Sequence, residues 1–201
     1  SISLTSGNVL IICLAGDTVN LQDITFNAQS ISASYDATAA NTGNVVVRIV
    51  RGTVPSTATA DLVITFSGTL PDAKACAVYE ISGLVASPLD VSAANTGSDT
   101  TPTSTQTATL AQADELLIGC IGTEGPDGDA AGTWTAGANQ TTDNGQRLGT
   151  TGGGAASNIT VAAATKIVSA TTGGIASKTG ITSRDWAACI ATYKAAAAGA
   201  V

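Results

Sequence analysis

Histidine is absent from all 201 positions. That absence removes the Ser-His-Asp and Cys-His nucleophile arrangements, His-ligated zinc, and the usual general base near neutral pH. Charge is scarce as well. Asp, Glu, Lys and Arg make up 11% of the chain, against about 25% in ordinary domains. The eight basic residues are scattered from Arg48 to Lys194, and the net charge is −7. A phosphate-binding surface needs clustered Lys and Arg, so neither nucleic acid nor an anionic membrane is an expected partner. Aromatics are only 3%, which leaves Val, Ile, Leu and Ala to build the core. No apolar run approaches the ~18 residues of a membrane-spanning helix. The early run Val9-Leu10-Ile11-Ile12-Cys13-Leu14-Ala15 stops at Gly16-Asp17 and reads as a buried strand. The phosphate-cradling patterns GxGxxG and GxxxxGK[ST] are missing. Ser177-Lys178-Thr179 matches only the tail of the second, and Gly152-Gly153-Gly154 reads as a loop.

What is present is a rhythm of short apolar runs separated by Gly, Asn, Asp, Pro and Thr clusters, the pattern of many short strands. The segments are Asn8–Ala15, Gln29–Tyr35, Asn44–Arg51, Asp61–Phe66, Lys74–Ser82, Thr103–Leu110, Asp114–Gly122, Ser157–Val168 and Arg184–Lys194. Alternation puts Val45, Val47 and Ile49 on one face, and likewise Leu62, Ile64 and Phe66. The expected fold is all-β: a single antiparallel, jelly-roll-like β-sandwich of about ten to twelve strands. An immunoglobulin-like strand order is the alternative. The sandwich occupies 1–194, with a long Gly- and Asp-rich loop excursion at 122–154 and an Ala-rich C-terminal tail at 195–201. Asn144-Gly145 predicts a type I′ hairpin turn. Thr103–Leu110 carries no Lys or Glu, so as an edge strand it would seek a partner.

Four cysteines, Cys13, Cys76, Cys120 and Cys189, each sit in an apolar segment and form no CxxC pair. Buried free thiols are the expected state, with one or two disulfides as the alternative. Glu124, Asp127 and Asp129 offer carboxylates in a Gly-rich loop that could take Ca²⁺, but Pro126-Asp127-Gly128 is also an ordinary solvated turn. No resident cofactor or metal is expected. Adjacent Asp114 and Glu115 face opposite sides of a strand and cannot cooperate as an acid–base pair. No residue stands out as catalytic, and the chain reads as a non-enzyme. Trp134, in the polar excursion, is the candidate for an exposed ligand contact, while Trp186 belongs to the core.

The segment Ala77-Val78-Tyr79-Glu80-Ile81-Ser82-Gly83, followed by Pro88-Leu89-Asp90, has a particular setting. An apolar strand, Gly7–Ile12, opens the domain. Asp114–Ile118 follows, and Trp186–Tyr193 closes it. This arrangement resembles a group of β-sandwich proteins found in tailed phages, as decoration, head-fibre and tail-associated proteins, and on bacterial surfaces. The resemblance implies a structural virion protein, a capsid decoration or cement protein on the outside of a phage shell. Its partners would be the major capsid protein or other virion proteins, with self-association, in a particle assembled in the host cytoplasm. The alternative is an extracellular adhesive or carbohydrate-binding β-sandwich module.

Overall fold

The computed structural model describes residues 1–17, 21–66, 73–150 and 158–197. Gly152-Gly153-Gly154 and the end of the Ala-rich tail lie outside the described residues. The first 81 residues form nine strands: β1 (Ile2–Leu4), β2 (Val9–Gly16), β3 (Leu21–Phe26), β4 (Gln29–Ser30), β5 (Ser34–Asn41), β6 (Val45–Thr53), β7 (Ala58–Ala60), β8 (Leu62–Phe66) and β9 (Lys74–Ile81). Seven more follow: β10 (Leu84–Gly97), β11 (Asp114–Glu124), β12 (Thr133–Trp134), β13 (Asp143–Gly149), β14 (Ile159–Ser169), β15 (Lys178–Thr179) and β16 (Trp186–Ala195). A single 3₁₀ turn spans Asp127–Ala130. The all-β expectation holds, with sixteen strands among the described residues. Several of these are only two or three residues long.

Two antiparallel sheets face each other. One has the order β5-β6-β2-β9 and the other β10-β16-β11-β14-β13. Every ladder joins strands from the same half of the chain, before or after Gly83. The backbone therefore passes between the facing sheets at one point, the left-handed Gly83 (φ +77°), where the Ala196 N–H donates to the Gly83 carbonyl. In a jelly roll, by contrast, the chain would alternate between sheets strand by strand.

The halves meet through side chains. Ile11, Cys13, Val45, Val47 and Ile49 from one sheet pack with Ile118, Cys120, Val161, Ala163, Cys189 and Tyr193 from the other. Each sheet is also covered on its outer face. Leu10, Ile12 and Leu14 lie under Ile24, Phe26 and Ile31, and Leu117 and Ile190 lie under Leu110 and Ala176. The central strands are thus dry on both sides, which is why β2, β11 and β16 carry continuous apolar runs rather than alternation. With about 25 cal/mol per Å² of apolar area removed from water, these two-sided strands contribute most of the burial free energy. All four cysteines are free thiols, and only Cys76 is less than fully buried.

The local expectations that fail have identifiable causes. Gln29–Tyr35 is not one strand. Asn27 and Ala28, both with positive φ, make a two-residue reversal between Phe26 and Gln29, so the type I′ geometry occurs here. Pairing stops at Ser30, Ile31 turns into the outer core, and a new strand starts at Ser34. Asn144-Gly145 is not a hairpin turn. Asn144 does adopt positive φ (49°), but as part of an irregularity between Asp143 and Gln146 on β13. Thr103–Leu110 is not an exposed edge strand either. Ser104, Thr107 and Leu110 are buried over the five-stranded sheet, held by Ser104 N–H to Ala176 O, Thr107 N–H to Gly174 O and Leu110 N–H to Thr171 O. The excursion at 122–154 contributes β13 to the main sheet, and the segment assigned to the tail begins inside β16.

One polar group lies inside the main core. β5 slips register between Tyr35 and Ala37, and this bulge turns both Asp36 and Ala37 inward. The Asp36 carboxylate, 1% exposed, accepts from Arg51 Nε at 2.8 Å and Arg51 Nη2 at 3.2 Å. Across the sheets it accepts from the Tyr193 hydroxyl at 3.0 Å. Burial, and then the neighbouring carboxylate, push the Tyr193 phenol well above its usual value.

Candidate functional site

The residues singled out from the sequence are distributed over the cap of loops and short strands on the outside of the five-stranded sheet. The 3₁₀ turn holds Asp127 and Asp129, but each faces an arginine. Arg147 on β13 grips Asp127 in a two-pronged pair, Nε–Oδ1 2.7 Å and Nη2–Oδ2 2.8 Å. Arg184 donates to Asp129 at 2.8 Å. Glu124, at the end of β11, sits apart from both. Its carboxyl is raised above the ordinary value by burial and by the nearby Asp185 and Asp17. The three carboxylates proposed for Ca²⁺ are thus not brought onto one ion, and no metal-holding group of Cys, Asp or Glu occurs among the described residues. The turn reading explains Asp127 and Asp129, with arginines as the counter-charges.

Trp134, on β12, is half-buried. It packs against both apolar clusters on the outer face of the five-stranded sheet. Lys178 lies over its ring, 5.7 Å from the centroid. The ring therefore does not stand clear as a stacking platform. Its indole Nε1 instead points toward Gly145, where an added Cβ would lie 3.6 Å away, and opens on a cavity of about 210 Å³ lined by Gly132, Gln146, Arg147 and Lys178. Lys178 went unrecognised in the sequence, where Ser177-Lys178-Thr179 reads as a fragment of a phosphate loop. The usable signal was alternation: Ala176 and Lys178 share the buried side of a short strand-like segment.

Two carboxyls do face each other, though not the adjacent pair. Asp114 is exposed and Glu115 is buried on the opposite side of β11, as alternation predicts. Glu115 is 1% exposed, and neither of its oxygens has a well-formed hydrogen bond. The Thr192 hydroxyl and the Asp90 carboxyl face it. The loop after Leu110 closes over the pair, with Ala111 N–H donating to Asp90 at 2.8 Å and Lys194 Nζ 4.0 Å from Asp90. Burial first, with the Asp90 carboxylate adding to it, raises the Glu115 carboxyl.

A raised carboxyl contributes stability that is full below its unfolded pKa and is lost as pH climbs through its folded one. Glu115→Gln should therefore stabilise the chain by about 1–2 kcal/mol near neutral pH. The difference from wild type should shrink to nothing below about pH 4.5, the unfolded range. Urea midpoints of the two proteins at the two pH values measure this, and a pH-independent difference would contradict it.

A larger open feature lies on the other half. β8 and β9 each have a neighbour on one side only among the described residues. Between these edges runs an apolar groove in two connected parts. One, about 590 Å³, is lined by Ile2, Leu62, Val63, Ile64, Cys76 and Val78. The other, about 240 Å³, is lined by Leu14, Ile64, Phe66 and Cys76. Val63 is 49% exposed at its lip. A third cavity, about 330 Å³, lies at the open end of the facing sheets beside Tyr79 and Leu116, with the 77%-exposed Ile167 at its mouth.

Compared with protein-family models, curated proteins and solved structures, the chain has no significant match.

Proposed function

We propose that this chain is a structural surface protein, a decoration or cement component that attaches to the outside of a phage shell and acts by binding rather than by catalysis. The observation that carries this reading is the apolar groove between the edges of β8 and β9, which lack a second strand neighbour among the described residues. A free strand edge is a template for another strand, and an apolar channel between two such edges supplies the side-chain pockets that a docking strand requires. The segment that was expected to offer an unguarded edge, Thr103–Leu110, is covered, which leaves β8 and β9 as the edges that support this reading. Proteins that bind only the assembled state raise its stability by mass action, so attachment through this groove would strengthen a shell without chemistry. The tail-phage resemblance of the Tyr79–Gly83 strand end agrees with the same reading, and the partner would be the major capsid protein.

The test is addition of the purified chain to purified expanded shells. The wild type should co-sediment with the shells and raise their melting temperature. Val63→Glu places a charge at the exposed lip of the groove, where surface substitutions change folding stability by less than about 0.5 kcal/mol. This variant should fold normally and fail to attach. Wild type that leaves shells bare, or a Val63→Glu variant that attaches equally well, would overturn the proposal.

A further inference from the structure

Lys178 is a buried cation with too little around it. Its side chain belongs to a residue that is 3% exposed, and its ammonium has three hydrogens to place. One goes to the Ala130 carbonyl, 2.5 Å from Nζ, and no carboxylate forms an ion pair with it among the described residues. Asp127, the carboxylate whose charge acts on it, is already held by both prongs of Arg147. Arg147 lines the same cavity as Lys178, so two positive side chains approach one small space containing no negative group of its own. Trp134 also lines that space, with its indole Nε1 beside Gly145, and no acceptor for its N–H is found among the described residues. Burying a charge is costly unless it is paired and hydrogen-bonded. Here Lys178, Trp134 and Arg147 line one cavity, and no carboxylate lines it with them.

We infer that the Trp134–Lys178 cavity is a binding site for a carboxylate. One carboxylate oxygen accepts from Lys178 Nζ and the other from Trp134 Nε1, while the Arg147 guanidinium adds attraction without leaving Asp127. A volume of about 210 Å³ holds the carboxylate and a short stem, not a whole large ligand. Two donors can each serve one oxygen of a carboxylate, an arrangement a spherical halide does not use in the same way. This assignment stands apart from the shell-binding groove, which lies on the other half of the chain.

The protonation of Lys178 agrees with the geometry. Burial, and then the Arg147 charge, lower its amine to about 8, against a smaller opposing pull from Asp127. The groups facing it are Arg147, Asp127 and, beyond them, the Arg184–Asp129 pair. A carboxylate binds the protonated amine, so affinity is full below that value and falls as pH rises through it.

The experiment uses the intact chain and sodium acetate, with sodium chloride at matched ionic strength as the blank. Tryptophan emission and melting temperature are read at about pH 7 and about pH 9, bracketing the Lys178 titration. Trp186 is buried with its indole N–H donated to Asp99 at 3.1 Å, so a saturable change reports Trp134. Acetate should saturate with an affinity on the order of millimolar and bind more weakly at the higher pH. Lys178→Met and Trp134→Phe should each weaken it roughly tenfold or more, the effect of one charge-assisted hydrogen bond. A response that chloride reproduces, or no saturation by acetate, would overturn the assignment. So would equal affinity at both pH values, or a Lys178→Met variant that folds and still binds acetate as tightly.

Discussion

Asp36→Ala is expected to destabilise the chain by about 3–5 kcal/mol, the range for removing one partner of a buried ion pair. Three interactions end together. Arg51 loses both of its carboxylate bonds, and Tyr193, fully buried on β16, loses its only acceptor across the facing sheets. Tyr193→Phe removes one bond and should cost about 1–2 kcal/mol. Because the two residues share a network, the double variant should cost less than the sum of the singles, with a coupling of roughly 0.5–3 kcal/mol. Denaturant unfolding of the four proteins measures all of these. If Asp36→Ala unfolds within about 1 kcal/mol of wild type, the cluster is an incidental feature of the core. The Tyr193 phenol adds a pH signature. Its folded pKa lies well above the unfolded value, so its contribution is full below about pH 10 and is lost at higher pH, and Tyr193→Phe should flatten that loss.

Gly122→Ala is the second large effect. Gly122 is on the inward face of β11, where the sheets approach closely. A methyl group there would fall on Val47 Cγ1 and lie 2.9 Å from Val45 Cγ2 and 3.1 Å from Ala15 Cβ. The methyl group would have to push aside two branched side chains of β6 and Ala15 of the neighbouring β2, so the cost is overpacking of about 1–3 kcal/mol. Gly122→Val should exceed that range and separate the sheets locally. The control is Gly128→Ala in the 3₁₀ turn, where an added Cβ meets nothing within 4 Å and φ is not positive. This change should be neutral, or stabilising by up to about 1 kcal/mol through the unfolded state. Equal effects at the two positions would show that Gly122 is not a contact point between the sheets.

The parts of the fold that could be read from the sequence are those buried on both faces. Val9–Gly16, Asp114–Glu124 and Trp186–Ala195 announce themselves as unbroken apolar runs, because neither side of these strands meets water. Val45, Val47 and Ile49 share the inward face as alternation predicted. The longest strand, Leu84–Gly97, was missed because it is an edge strand, half exposed, carrying Pro88 and with Ser, Asp, Asn and Thr interrupting its apolar residues. Pro is tolerated there because an edge residue can do without its N–H. Thr103–Leu110 looked like such an edge and is instead a covering loop, since alternation of Thr with small residues cannot distinguish ladder pairing from scattered single bonds. The polar features were hidden for a different reason. Asp36 reaches the core through a register slip, Glu115 meets Asp90 through tertiary approach, and Lys178 gains its neighbours from four separate segments. Spacing along the chain carries none of this. Trp134 was singled out as an exposed ligand contact, and the sequence could not show that the ring would be half-buried with a lysine over it.

The single passage between the facing sheets at Gly83 also orders events in time. Strands β1 to β9 complete all their ladders with one another, so during synthesis the first half can finish its hydrogen bonding before β10 has been made. Its inward face, with Ile11, Val45, Val47 and Ile49, must then wait bare for the second sheet to dock. Domains are made N-terminal part first at about 5–20 residues per second, so that exposure lasts several seconds. The Tyr193–Asp36 bond, which forms only after β16 has been made, would be the latch that closes the pair. Until it forms, the growing chain carries its most aggregation-prone surface uncovered, and a chaperone would find its binding site there.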